Sequence, residues 1–578
     1  MRAWRLLATY LGPQWPRAAV LGVLLVGGIG LELANPQLLR RFIDEAMAGA
    51  ELSDLLTVAA LFVGLALANQ LVSVAENYVS QDVGLSATNR LRADLVRHCL
   101  RLDPSFHCAH TPGELIERVD GDVAALGNFF SRFVIHVLGN VLLMLGVLVL
   151  LFEVDWRAGA VMTAFAVVAM LLLNALRDVA VPYWAASRQA SADLMGFLEE
   201  RLAGTEDIRA NGATAYMMRR LHEWNRAVFR TRVKAWTVGS LSYSSTEFLL
   251  ILGMAVALGI GAYLYQDGAI TLGAVYLLFG YTALLQRPLQ QLTRQMQDLQ
   301  QALASLVRVN DLLAERSAIE EPTEPAAILP DGPLAVEIEG VTFGYRPDEP
   351  VLRDVSCTLR PGEVLGLLGR TGSGKTTVTR LLFRLYDPQQ GAVRLSGVDL
   401  RSARLAEVRR RIGMVTQDVQ LFRATVRDNL TFFDASISDE RILEALSELG
   451  LLDWLRELPA GLDTMLAPGG SSLSAGEAQL LAFARVFLKD PGLVVLDEAS
   501  ARLDPATEHR IERAIDTLLA GRTGIVIAHR LGTVQRADDI LILEDGRIRE
   551  HGDRVALAAD PRSRFRALLT TGLEEVLA

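Results

Sequence analysis

The run Gly369-Arg370-Thr371-Gly372-Ser373-Gly374-Lys375-Thr376 fits the pattern G-x-x-x-x-G-K-[ST], with Thr377 next in sequence. Its chemistry is phosphate binding. Glycines let successive backbone N–H groups converge on an anion at a helix N-terminus, the lysine ammonium neutralises terminal phosphate oxygens, and the Thr376 hydroxyl can ligate Mg²⁺. A second run, Leu493-Val494-Val495-Leu496, ends in Asp497-Glu498. An acidic residue at the carboxyl end of a buried strand can hold Mg²⁺ through water, and the next carboxylate can polarise an attacking water. Together these predict a nucleoside triphosphate with Mg²⁺, hydrolysed by phosphoryl transfer to water.

Such a site needs a strand before the glycines and a helix after them. The apolar run at 364–368 and the apolar periodicity after Lys375 supply both. From residue 334 onward, short β-rich runs alternate with helical ones, as in an α/β domain around a largely parallel sheet. Upstream the pattern changes. Six apolar stretches, at 18–39, 55–74, 133–152, 158–176, 248–265 and 270–285, approach the ~20 residues needed to cross a hydrocarbon core, although the last is short. Hydrophobic residues make up 51% of the 578-residue chain, yet 21% are charged, which fits a membrane part joined to a soluble one. Glu320, Glu321, Pro322, Glu324, Pro325, Pro330 and Pro333 interrupt the helical pattern. The expected organisation is therefore a transmembrane domain at 1–315 with two long loops, a linker at 316–333 and a nucleotide-binding domain at 334–578.

Arginines concentrate in two long stretches, Arg90 to Arg132 and Arg188 to Lys234, whereas the other connections hold only Arg40, Arg41 and Arg157. The positive-inside rule puts both long stretches, both termini and the nucleotide-binding domain in the cytosol of a multi-pass protein of the cytoplasmic membrane. The apolar run after Arg2 and Arg5 reads as a retained first span, with no convincing cleavage site. A net charge of −10 excludes nucleic acid as the partner. Three cysteines are too few for a disulfide framework and suit a reducing compartment. His98, Cys99, His107, Cys108 and His110 crowd together without a recognised zinc spacing. Glu32, His136 and Glu247 lie in or beside the spans, where charge is costly, and should face a cavity or an interface.

The segment Leu473-Ser474-Ala475-Gly476-Glu477, about twenty residues before the acidic strand, carries a resemblance. Over essentially its whole length the chain resembles the ATP-binding cassette (ABC) transporters, as an exporter-type half-transporter with six membrane helices and one nucleotide-binding domain. The implied fold is a polytopic α-helical membrane domain plus an α/β P-loop cassette with a helical subdomain. The implied activity is ATP-driven export of a small hydrophobic or amphipathic solute across the lipid bilayer. An exporter-fold importer, and a regulatory or channel-like protein that binds ATP without pumping, are the alternatives. Further roles come from the resemblance alone. Tyr345 would stack on adenine, Gln417 would sense Mg²⁺ and water, and His529 would contact the γ-phosphate. Ser474 and Gly476 would meet ATP held by a second half-transporter, while segments 111–123 and 204–220 would couple the membrane helices to the cassettes.

The signature departs from the family's LSGGQ at Ala475 and Glu477, and Arg502 stands where alanine is usual. A methyl and a carboxylate where backbone approaches a polyanion weaken phosphate contact. With Lys375, Asp497 and Glu498 intact, this favours a heterodimer whose partner has the opposite pattern, over a homodimer with a tolerated signature.

Overall fold

The computed structural model describes residues 8–129, 131, 137–322, 326–346, 348–416, 419–467, 473–497, 505–527 and 534–571. It divides into two compact units: residues 1–100 with 112–315, and residues 101–111 with 316–578.

The first unit is built from long helices: α1 (Trp15–Met47), α2 (Leu52–Arg101), α3 (Asn140–Val154), α4 (Trp156–Ala203), α5 (Thr214–Gln266) and α6 (Leu272–Ala314). At 50 residues α2 is about 75 Å long, well over twice the ~30 Å of a hydrocarbon core. Five helices among the described residues are long and apolar enough to cross a membrane, and the apolar part of α6 is the shorter Leu272–Gln286. The stretches at 18–39, 55–74, 158–176 and 248–265 lie on helices longer than the stretches themselves, 270–285 lies mostly on α6, and the described part of 133–152 lies on the helical segment Val137–Val154.

Two buried polar groups inside this unit, Tyr281 and Asp122, are paired. Tyr281 is fully buried, and its hydroxyl donates to the Leu33 carbonyl at 3.1 Å while accepting from Gln37 at 2.8 Å. Below the apolar segments, a π-helical turn at Glu117–Asp122 aims the buried Asp122 carboxylate at α6. It accepts from Ser305 Oγ at 2.8 Å and from Arg308 Nε at 2.9 Å, with a second bond from the Arg308 guanidinium. Removing the carboxylate leaves both donors without their acceptor, but Arg308 is half exposed and can rehydrate. Asp122→Ala is therefore expected to destabilise the unit by only about 1–2 kcal/mol. Thermal unfolding in detergent should fall for this variant and not for Asp120→Ala, whose carboxylate lies on the surface.

In the second unit β1 (Val336–Phe343), β2 (Leu352–Leu359), β4 (Gln390–Leu395) and β5 (Val398–Asp399) form an antiparallel sheet in the order β2-β1-β4-β5. The strands β3 (Val364–Leu368), β6 (Ile412–Val415), β7 (Leu493–Asp497), β8 (Thr523–Ile527), β9 (Asp539–Glu544) and β10 (Arg547–Asp553) form another, in the order β10-β9-β3-β8-β7-β6. All of its pairings are parallel except β9 with β10. Every residue of β3 and β8 is buried, as a parallel sheet covered on both faces requires. Alternate side chains divide between two cores. Val364, Leu368, Val494 and Leu496 join the helical side, while Leu365, Leu367, Leu493 and Val495 join the antiparallel sheet. That four-stranded sheet was not expected from the sequence; β2 is half exposed and reads as a weak amphipathic strand.

The short helix Pro104–Ala109 belongs to this second unit, whereas the expected coupling segment at 111–123 lies mostly in the first. Asp103 explains the boundary. It caps the helix through the Ser105 and Phe106 amides and accepts from the Ala318 amide at 2.5 Å, tying residues 103–109 to the chain at 318. Burial pushes the Asp103 carboxyl up, but the Ser105 hydroxyl and the three amides outweigh it and hold it below the ordinary value. A depressed folded value stabilises the protein above the unfolded value, about 3.9, and that contribution is lost as pH falls through the folded one. Hydrogen exchange of the 104–109 amides should therefore show protection at pH 5 that is lost below about pH 4, and Asp103→Asn should remove this pH step.

Candidate functional site

The phosphate cradle starts where β3 ends. Gly369, Gly372 and Gly374 have φ of 151°, 83° and 108°, values that L side chains rarely adopt. A Cβ on Gly374 would come within 2.6 Å of Leu352 Cδ2, and one on Gly369 would strike the Leu543 carbonyl. The chain then enters α7 (Lys375–Leu382), whose first amides point back into the loop. Lys375 is 7% exposed, and its ammonium donates to the carbonyls of Gly369 at 2.5 Å and Arg370 at 3.0 Å. Thr371, Gly372 and Thr376 are exposed along the same loop. Ser373 is buried, and its Oγ is an enclosed hydroxyl without a hydrogen-bond partner among the described residues. Such an orphan costs roughly 1–3 kcal/mol unless something meets it. A phosphate oxygen in the cradle would do so, and the residues present therefore fit a nucleotide triphosphate.

Asp497 is the last residue of β7, two strands from β3 in a parallel array, and so emerges at the same carboxyl edge as the cradle. Glu498, Gln417 and His529 lie outside the described residues, as do His136 and Arg502. In sequence, Glu498 follows β7 directly, His529 follows β8 by two residues and Gln417 follows β6 by two. The order β3-β8-β7-β6 thus sends all four strand ends toward one edge. Among the described residues no three His, Cys, Asp or Glu side chains gather to hold a metal, the 98–110 stretch included. Mg²⁺ is commonly held by one or two protein oxygens plus substrate phosphates. Thr376 and Asp497 supply that donor chemistry.

Tyr345 stands on the loop after β1 with 44% of its surface exposed. Phe343 and Tyr386 flank its ring edge-on at 5.2 and 5.3 Å, and its hydroxyl lies 3.1 Å from Thr377 Oγ. Sequence reasoning missed Tyr386 and Arg380 beside it. The available signal was the i, i+3 spacing of Thr377 and Arg380, which puts both on one face of α7.

Ser474 and Gly476 lie on another element, the N-terminus of α8 (Ala475–Lys489). Ser474 is the N-cap. Its hydroxyl accepts from the Glu477 amide at 3.2 Å while the Glu477 carboxylate accepts from the Ser474 amide at 2.7 Å, a reciprocal capping box. Gly476 is buried in the first turn, and Ala475 faces outward.

Comparison with known proteins follows the same division. Residues 19–289 match the family model for the ABC transporter transmembrane region, and residues 352–501 match the family model described as ABC transporter. The chain is 34% identical to a fatty acid ABC transporter ATP-binding/permease protein of Mycobacterium bovis, over 81% of this chain and 74% of that one. It is 30% identical to an ATP-dependent lipid A-core flippase of Alcanivorax borkumensis, over 92% of this chain and 89% of that one. A bacterial Atm1-family ABC exporter solved with ATP bound superposes with a TM-score of 0.80 at 25% identity, covering 96% of this chain and 98% of that one.

Proposed function

We propose a function for this chain from one established premise: it belongs to the ABC transporter family, with the transmembrane region and the ATP-binding domain in one polypeptide. It is a multi-pass membrane protein and an ATPase coupled to transmembrane movement. The reading favoured here is export of a hydrophobic or amphipathic solute of lipid character by a dimer of half-transporters. The observation that carries it is a phosphate cradle, with a buried lysine and an orphaned Ser373 hydroxyl, on a chain with five membrane-length helices among the described residues. The relatives' named cargoes, fatty acid and lipid A-core, support the substrate class.

In this reading residues 1–315 form the membrane domain, 316–333 the linker and 334–578 the cassette, with the cassette and both termini in the cytosol of the inner membrane. The backbone of Gly369–Thr377 and the Lys375 ammonium hold the β- and γ-phosphates. Thr376 and Asp497 would hold Mg²⁺, and a bound Mg²⁺ would supply positive charge beside the transferred phosphoryl group. Glu498 polarises the attacking water, Gln417 and His529 orient it and the γ-phosphate, and Tyr345 forms the adenine shelf. The partner's signature closes this site, and Ser474 and Gly476 face the partner's nucleotide.

Reconstitution of the full chain in proteoliposomes, alone and with a second half-transporter from a neighbouring reading frame, tests this. Fluorescent fatty acid and phospholipid analogues should move away from the cassette side in an ATP-dependent way and stimulate hydrolysis. Movement toward the cassette side, or hydrolysis without movement of any analogue, would overturn the reading.

A further inference from the structure

Tyr345 sits on an exposed loop, where a ring of its size would ordinarily sample several rotamers. Besides Phe343, three side chains restrain it. Arg380 Nη1 donates to the Tyr345 hydroxyl at 3.0 Å, and the guanidinium carbon lies 5.6 Å from the centre of the ring. Thr377 reaches the same hydroxyl from one turn earlier on α7, and Tyr386 closes the ring's flank edge-on. The hydroxyl is thus fastened to the helix whose N-terminus forms the phosphate cradle, and Thr377 itself belongs to that cradle.

We propose that Arg380 is a positioning residue: it clamps the Tyr345 ring to the P-loop helix, so that the adenine shelf and the phosphate cradle are held at a fixed spacing before nucleotide arrives. A planar guanidinium can donate to the hydroxyl and lie against the ring at once, which a flexible ammonium does less well. The chemistry recognised is an adenine nucleotide, whose base and phosphates engage two elements that the clamp joins. Holding the ring in place removes an ordering cost from binding. The inference rests on the reading of Tyr345 as the adenine shelf.

The test is equilibrium binding of radiolabelled ATP to the full-length chain in nanodiscs, alongside KM and kcat for hydrolysis. Arg380→Gln should weaken binding and raise KM about fivefold, the worth of one exposed cation–π contact, with kcat at saturating ATP unchanged. Arg380→Lys should recover part of the loss. On a Tyr345→Ala background, Arg380→Gln should add nothing, because Arg380 acts through that ring. If Tyr345→Ala weakens binding while Arg380→Gln does not, or if Arg380→Gln costs as much without the ring as with it, the positioning role fails and the shelf stands. If Tyr345→Ala itself leaves ATP binding unchanged, the shelf reading fails. Unfolding without nucleotide, expected to be unaltered, separates both from misfolding.

Discussion

Replacing Lys375 by alanine is expected to lower ATP turnover about a thousandfold, the scale on which preorganised charge at a transferring phosphoryl group acts. The ammonium is buried in the cradle, where it donates to the Gly369 and Arg370 carbonyls. The same contacts set the structural cost. Two loop carbonyls lose a donor, worth about 1–2 kcal/mol, and the parallel sheet beneath has its own cores on both faces. The variant should therefore fold and insert normally. Phosphate release measured with the full-length protein, beside thermal unfolding without nucleotide, checks both halves. A Lys375→Ala protein that hydrolyses ATP within tenfold of the parent would remove the cradle from the mechanism.

The strand, glycine turn and helix of the cradle were legible because glycine and lysine at fixed spacing have few other uses in a strand-to-helix turn. The membrane part was legible for a different reason, since about twenty apolar residues in succession have one cheap environment. What escaped was tertiary. Arg380 is an ordinary helix-surface arginine until the fold sets Tyr345 over it. Asp122 sits in an acidic stretch with Glu117 and Asp120, and nothing in the spacing says that it alone is buried against Ser305 and Arg308. Asp103, a plain N-cap in sequence, also reaches the Ala318 amide and draws residues 101–111 into the second unit. In each case the deciding partner is more than 30 residues away, beyond the reach of any local pattern.

Restoring the signature, Ala475→Gly with Glu477→Gln, is expected to raise the ATPase activity of the chain purified alone about tenfold, or 1.4 kcal/mol off the barrier. In the present sequence the Glu477 carboxylate lies over the Ser474 amide, so the donors at the start of α8 already serve an anion belonging to their own chain. A second anion at that helix end meets repulsion. At about 5 Å and an effective dielectric near 20, one pair of like charges costs about 3 kcal/mol. The opposing term is the attraction of the carboxylate to the helix N-terminus, only about 0.3–1 kcal/mol, and glutamine keeps the capping geometry without the charge. By this balance the unmodified signature is expected to be a poor lid for a γ-phosphate. An unlike partner that brings a neutral signature to Lys375 and Glu498 is the assembly this balance favours. If the unmodified chain alone already turns over ATP at the rate of the restored variant, and Glu498→Gln abolishes that activity, the carboxylate is tolerated and the homodimer is the working form.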